Sequence, residues 1–81
     1  MIASFTPHFR RSYRKLPKRI QGAFDKQLVY LLRDISHPSL RAKKYDEQRN
    51  LWQARVTGHY RCYFEIKNDS HIFHEIRIHA D

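Results

Sequence analysis

The hydrophobic period of this chain changes once along its length, and that change limits the possible folds more than any other feature. Before residue 36, apolar residues recur at helical spacing, at Phe5, Phe9, Tyr13, Leu16, Ile20, Phe24, Leu28, Leu31 and Ile35. From Leu51 onward they alternate with polar residues, which is typical of strands with one buried face. Helices followed by strands predict an α+β fold, in which the helices cover one face of a sheet.

Prolines and a capping residue set the boundaries of two helices. Thr6 followed by Pro7 predicts an N-cap with proline at the first helical position. Pro17 ends this helix and begins a second one, which we expect from about Lys18 to Ile35. The segment 36–39 contains another proline and ends the second helix, because a residue before proline is pushed away from helical dihedrals. The two helices are expected to form a hairpin.

Three strands fit the alternating half of the chain, and a fourth fits the N-terminus. The three cover Leu51–Thr57, Tyr60–Lys67 and His71–His79, and the apolar segment Ile2–Phe5 is expected to join their sheet. The turns between the three are so short that these strands must pair as antiparallel hairpins. The predicted order is β-α-α-β-β-β, with the helical hairpin packed on one face of an antiparallel sheet. At this length we expect a single domain over residues 1–81.

Charge and cysteine content narrow the class of partner and the compartment. The chain has 16 Lys and Arg against 8 Asp and Glu, a formal net charge of +8. Such a surface favours polyanions, and any affinity for nucleic acid is expected to fall steeply with salt. Cys62 is the only cysteine, which excludes an internal disulfide and fits a reducing compartment. With no apolar run near the roughly 18 residues of a membrane span, we expect a cytoplasmic protein without a membrane partner.

Alternation sorts the side chains of the three later strands onto two faces of the sheet. The face predicted to meet the helices carries Trp52, Ala54, Val56, Tyr60, Cys62, Phe64, Ile66, Ile72, Ile76 and Ile78, with His74 as a polar exception. The opposite face carries Gln53, Arg55, Arg61, Tyr63, Glu65, Phe73, Glu75, Arg77 and His79. Arginine, glutamate, tyrosine and histidine side chains are therefore expected to share one polar face.

This polar face has two interpretations. As a solvated outer face, it would hold cross-strand Arg and Glu pairs worth about 0.2–1 kcal/mol each. As an active site, it has the residue types that cleave a phosphodiester without a metal, namely cations for the charge on phosphorus, a base and an acid. Arg55, Arg61 and Arg77 can hold the phosphate. His79 titrates near neutral pH, and Glu75 is a candidate base whose pKa the arginines would lower.

Residues outside these strands are weaker candidates. Lys43 and Lys44, just before the sheet, extend a phosphate track or form an ordinary solvated charge run. Tyr45 and Trp52 can stack on bases, although Trp52 lies on the predicted core face. The six histidines do not show a recognised zinc-ligand spacing, so we expect neither a metal nor another cofactor.

The element order and three sequence motifs resemble the RelE/ParE toxin superfamily. The motifs are HPSLRAKK at His37–Lys44, LWQARVTGHYRCYFEI at Leu51–Ile66 and HEIRIH at His74–His79, so the resemblance spans nearly the whole chain. The Trp-x-Ala-x-Val strand, the Tyr-Arg pair and the late histidine are most similar to the RelE-type and YafQ-type mRNA interferases.

The resemblance implies the toxin of a type II toxin-antitoxin system, which cuts mRNA in the ribosomal decoding site through the RNA 2′-hydroxyl and without a metal. It also implies a cognate antitoxin that wraps the helices and the sheet, so that a monomeric free toxin becomes part of a hetero-oligomer. Arg61 matches the family's phosphate-contacting arginine, Arg55 a position that is commonly Lys or Arg, and His79 a late histidine that donates a proton in some members. We add RNA-binding roles for Arg77, Lys43, Lys44, Tyr63 and Gln53.

Two departures from the family pattern leave other functions open. Gln53 stands where some ribonuclease members carry a lysine, and the sequence stops at Asp81, before the C-terminal tyrosine or phenylalanine of several members. One alternative is a ParE-like toxin that inhibits DNA gyrase by binding. The other is a catalytically degenerate module that binds nucleic acid or an antitoxin.

Overall fold

A computed structural model describes residues 1–79 of the chain as two helices and a five-stranded sheet. The elements are β1 Ile2–Phe5, α1 Pro7–Arg14, α2 Lys18–Arg33, a 3₁₀ turn at Pro38–Leu40, β2 Lys43–Asp46, β3 Leu51–Arg55, β4 Tyr60–Lys67 and β5 Ser70–Ile78. The α+β class and the helical hairpin on a mostly antiparallel sheet are confirmed, and β2 is a strand that the sequence pattern did not predict. None of the described helices is long and apolar enough to cross a membrane.

The first and last strands of the described chain are neighbours in the sheet. Its strand order is β1-β5-β4-β3-β2, in which β1 runs parallel to β5 and the other neighbours are antiparallel. Ile2 pairs with Ser70 and Phe5 with Phe73, so the first strand forms the edge beside the last one. The parallel pair needs a long connection, which the two helices and the three intervening strands provide.

The helix boundaries follow from local capping chemistry. The Thr6 hydroxyl accepts a hydrogen bond of 3.1 Å from the backbone N–H of Phe9, and Pro7 occupies the first turn, as predicted. At the other end of the hairpin, α2 stops at Arg33, two residues before the predicted end, because Asp34 takes an extended conformation. The Asp34 carboxylate then accepts hydrogen bonds from the backbone and hydroxyl of Ser36 and so stabilises the exit turn.

Strand β2 was missed because it is short and polar. Its four residues alternate between exposed and half-buried, a pattern too brief to separate from a loop. It forms because the outer edge of β3 offers backbone groups, and Lys43 pairs with Gln53 and Lys44 with Trp52. This segment is therefore a strand because it pairs with the edge of β3, and not because of the strand propensity of its own residues.

Aromatic rings form the centre of the core between the helices and the sheet. Phe9 and Phe24 from the helices meet Phe73 from β5 at centroid distances of 5.8 and 5.6 Å. Phe64 of β4 lies 5.3 Å from the same Phe73 ring, and Phe5 of β1 lies 5.4 Å from it. Phe73 thus contacts rings from four different elements, and all of its surface is buried.

A β-bulge in β5 corrects one part of the predicted alternation. Tyr63 pairs with Glu75 but its neighbour Phe64 pairs with Phe73, so His74 is an extra residue in β5. An extra residue reverses the facing of every side chain on one side of it. Phe73 is therefore in the core rather than on the polar face, and Ile72, opposite Glu65, lies on the polar side rather than the core side.

The same reversal buries His71 against Phe64. His71 is 2% exposed, its ring stacks on Phe64 at 5.3 Å, and neither ring nitrogen has a hydrogen-bond partner among the described residues. Burial first, and then the charge of the N-terminal amine, lower the pKa of His71 below its ordinary value. The folded protein therefore holds this imidazole neutral.

We expect His71 to make the stability of the protein fall in mild acid. Below about pH 6.5 the unfolded chain binds a proton at His71. The folded chain does not bind this proton until the pH falls to its lower pKa. The contribution of neutral His71 to the free energy of unfolding is thus complete above about pH 6.5. It is lost at up to about 1.4 kcal/mol per pH unit as the pH falls toward the pKa of His71 in the folded protein. Urea unfolding of His71→Leu between pH 7.5 and 5 should show a flatter pH dependence than the parent. His59→Gln, in an exposed turn, is the control, and a His71→Leu profile parallel to the parent's would contradict the assignment.

Candidate nucleic-acid interface

We call the sheet surface opposite the helices the open face, and it carries three arginines in one cross-strand row. Arg55 of β3 pairs directly with Arg61 of β4, and Arg61 pairs directly with Arg77 of β5. Directly paired residues have Cα atoms about 4.5–5.5 Å apart. Like charges placed directly opposite each other are destabilising, so this arginine row carries a cost in the free protein. An anion bound across the row would relieve that cost.

The β3–β4 turn lies beside two of the three arginines at one end of the sheet, and it holds the guanidinium of one of them. Nη1 of Arg61 donates to the carbonyl oxygens of Thr57, Gly58 and Tyr60 at 2.6, 3.3 and 3.1 Å. Nη2 of Arg55 lies 3.7 Å from the position that a Cβ on Gly58 would take. Within residues 1–79, the Arg55 guanidinium forms neither a hydrogen bond nor an ion pair, so its charge is available to a ligand.

Glu75 holds the third arginine of the row. Nη1 of Arg77 donates to Oε2 of Glu75 at 2.6 Å, and the guanidinium lies 4.4 Å from the centre of the Tyr63 ring. Partial burial lowers the pKa of Arg77, but the hydrogen bond and charge of Glu75, followed by those of Tyr63, outweigh it and raise the pKa. The second Glu75 oxygen lies 3.8 Å from Nε2 of His8 in α1. Glu75 therefore contacts both Arg77 and His8, and its hydrogen bond to Arg77 suits it to orient that guanidinium.

His79 lies just past the end of β5, two residues beyond Arg77. Its backbone N–H donates to the carbonyl oxygen of His59 at 2.6 Å, which continues the pairing of Tyr60 with Ile78. His79 is half-buried at the same end of the sheet as the arginine row. Asp81, where the sequence departs from the family pattern, lies outside the described residues.

The other sequence candidates divide between the two faces. Gln53 and Tyr63 are paired neighbours on the open face, one row from the arginines, and both are buried. Lys43 pairs with Gln53 and extends that row at the sheet edge. Lys44 does not join them, because its ammonium lies 5.1 Å from the centre of the Trp52 ring and 3.8 Å from a Glu47 carboxylate oxygen. Trp52 packs against the core, as its parity predicted.

One polar pair on the open face was not foreseen from the sequence. Nε2 of His74 lies 3.2 Å from Oε1 of Glu65. Simple alternation placed His74 on the core side, and only the bulge turns it toward Glu65. The signal available in the sequence was the polar residue itself, at a position where the alternation demanded an apolar one.

Sites of other chemical types are poorly supported in the described part of the chain. Residues 1–79 contain no group of three His, Cys, Asp or Glu side chains arranged to hold a metal ion. Burial raises the pKa of the Cys62 thiol to about 12, so this thiol is not a nucleophile near neutral pH. A cleft of about 520 Å³ between the helices and β1 has both aromatic and charged walls. It is lined by Phe5, Phe9, Arg10, Tyr13, Arg14, Phe24, Asp25 and Leu28.

The arrangement of two helices on a five-stranded sheet is shared with several solved toxin structures. The structure of a YoeB/ParE toxin from Agrobacterium tumefaciens is similar over 99% of this chain and 100% of the other, with a TM-score of 0.82 and 13% identity. RelE in the RelB-RelE antitoxin-toxin complex from Methanococcus jannaschii matches 93% of this chain and 88% of its own, with a TM-score of 0.75 and 21% identity. YafQ from E. coli strain BL21(DE3) matches 94% and 90%, with a TM-score of 0.77 and 9% identity.

These likenesses show that the chain has the RelE/ParE toxin fold. No protein-family model matches the sequence, and no curated protein matches it. The fold predicted from the sequence resemblance is thereby confirmed over nearly the whole chain. The activity has to be argued from the site itself.

Proposed function

We propose that this chain is the toxin of a type II toxin-antitoxin system and acts as a ribosome-dependent endoribonuclease that cuts mRNA and so blocks translation in the cytoplasm. The observation that supports this most is the cross-strand arginine row of Arg55, Arg61 and Arg77. A row of like charges lowers stability unless an anion binds, and a phosphodiester is an anion that arginine side chains bind well. The net charge of +8 adds general attraction to RNA.

In the proposed reaction, the 2′-hydroxyl of the RNA attacks the adjacent phosphorus and the bond to the 5′-oxygen breaks. The products are a 2′,3′-cyclic phosphate and a 5′-hydroxyl. We assign the arginines to the charge that develops on the phosphate oxygens. His79 is assigned to donate the proton that the 5′-oxygen needs, because imidazole is the side chain most suited to proton transfer near neutral pH.

Glu75 is assigned as the acceptor of the 2′-hydroxyl proton. Nη1 of Arg77 donates to Oε2 of this carboxylate at 2.6 Å, so that oxygen is occupied in the free protein. A phosphate on the arginine row competes for Arg77, and an Arg77 that turns to the phosphate leaves that oxygen open to a proton. Substrate binding would thus free the oxygen that accepts the proton.

An antitoxin is the proposed protein partner. Several solved structures with this fold are toxin-antitoxin complexes, among them YoeB-YefM from Staphylococcus aureus. A small acidic protein would complement the charge of this chain and would compete with RNA for the arginine row. We expect the neighbouring reading frame to encode such a protein, and co-expression with it to restore growth.

The proposed function is tested by induction of the chain without its antitoxin, followed by two measurements in the same cells. Protein synthesis should fall before plasmid supercoiling changes, and purified ribosomes programmed with an mRNA should yield cuts only when the purified chain is added. Early loss of supercoiling with intact mRNA would instead indicate a gyrase inhibitor. Undisturbed growth at high expression would indicate a binding module without toxin activity.

A further inference from the structure

Tyr45 lies at a second bulge, in strand β2 at the edge of the sheet. Lys44 pairs with Trp52 and the residue after Tyr45, Asp46, pairs with Leu51, so Tyr45 has no partner in β3. Tyr45 follows Lys43 by two residues and therefore faces the same side, the open face, where half of the residue remains exposed.

The ring of Tyr45 is fixed by contacts on the open face. It meets the Tyr63 ring nearly edge to face, at 4.9 Å and 63°. Tyr63 is only 3% exposed, and the guanidinium of Arg77 lies over its ring at 4.4 Å. Three side chains from three strands therefore stack in series, which holds the exposed part of Tyr45 in place without a ligand.

The stack lies beside the arginine row. Tyr63 follows Arg61 by two residues on β4, and side chains two residues apart on a strand face the same way about 6.6 Å apart. A strand of nucleic acid with one phosphate on the arginines therefore passes Tyr45 with a neighbouring base. Aromatic rings beside a cationic track are the feature that single-stranded nucleic-acid sites use to hold bases.

We propose that Tyr45 is a stacking platform for a nucleobase of the RNA strand whose phosphate the arginine row holds. The inference rests on the proposed binding of RNA by the open face, but it does not need cleavage. Every base has an aromatic face, so the platform adds affinity for unpaired nucleotides with little choice between bases. It requires a single strand, because a paired base keeps its faces against its neighbours.

The test compares two strands that differ only in their bases. One is a 2′-O-methyl oligoribonucleotide, which cannot be cut because its 2′-oxygen carries no proton. The other is a sugar-phosphate strand of the same length without bases. Fluorescence anisotropy at low salt should show that Tyr45→Ala weakens binding of the first strand about 5- to 150-fold and leaves the second nearly unchanged. Tyr45→Phe should bind like the parent, and Val29→Ala, an equally exposed residue on α2, is the matched control.

The outcomes separate this inference from the proposed function. Equal weakening on both strands would overturn the stacking role, because it would show that Tyr45 acts on the phosphate site or on the fold. A base-dependent loss in a protein that never cuts mRNA would support the platform and overturn only the nuclease proposal. Failure of the parent to bind either strand would overturn the platform alone, because cleavage is proposed to occur on the ribosome and is measured there.

Discussion

Replacement of Arg55 by glutamine is expected to lower mRNA cleavage about 100-fold or more, while the protein becomes no less stable. The loss follows because one of three cations that stabilise the phosphate charge in the transition state is removed. The retained stability follows because the Arg55 guanidinium makes no hydrogen bond or ion pair within residues 1–79 and faces the like charge of Arg61. Relief of that repulsion is worth about 0.2–1 kcal/mol. Cleavage on programmed ribosomes and urea unfolding measure the two effects.

A variant that loses cleavage activity without losing stability identifies the charge of Arg55 as one that serves function rather than folding. Arg33→Gln, at the exposed end of α2, removes the same charge from the helical side and should change neither quantity much. Arg61→Gln should lose activity as well, but it should also destabilise the protein because three carbonyl contacts disappear. Full activity in Arg55→Gln would show that the arginine row is an ordinary solvated surface.

Replacement of Phe73 by alanine is expected to destabilise the protein by about 3–5 kcal/mol, enough to unfold much of a small domain. Phe73 is fully buried and contacts the rings of Phe5, Phe9, Phe24 and Phe64. Few neighbours can move into the space that it leaves, because they come from four separate elements. Urea unfolding with an unchanged m-value would measure this loss.

The adjacent residue is the control for the bulge itself. Ile72 lies opposite Glu65 on the open face, so Ile72→Ala should cost less than about 1.5 kcal/mol. An unbroken alternation through β5 predicts the reverse order, with Ile72 in the core and Phe73 in solvent. A larger loss for Ile72→Ala than for Phe73→Ala would therefore refute the bulge at His74.

The arginine row was accessible from the sequence because nothing interrupts the alternation around it. Arg55, Arg61 and Arg77 lie in strand segments whose apolar neighbours keep a period of two, and short turns dictate the antiparallel pairing. Lys44 lies apart from them, beside Trp52, because its facing depends on β2, a strand that exists only where the edge of β3 supports it.

The sequence by itself determined the class of fold, the helix starts at Thr6 and Pro17, and the face shared by the three arginines. Each of these depends on covalent geometry and on hydrophobic period within a few residues. Only the tertiary structure decided the parallel pairing of Ile2–Phe5 with β5, the burial of His71 and the placement of Tyr45. These depend on register between segments, and a single extra residue in one strand reverses the facing of its side chains. The register of β5 is set by the packing around Phe73 of aromatic rings that are distant in sequence. Such packing cannot be predicted from a local sequence pattern.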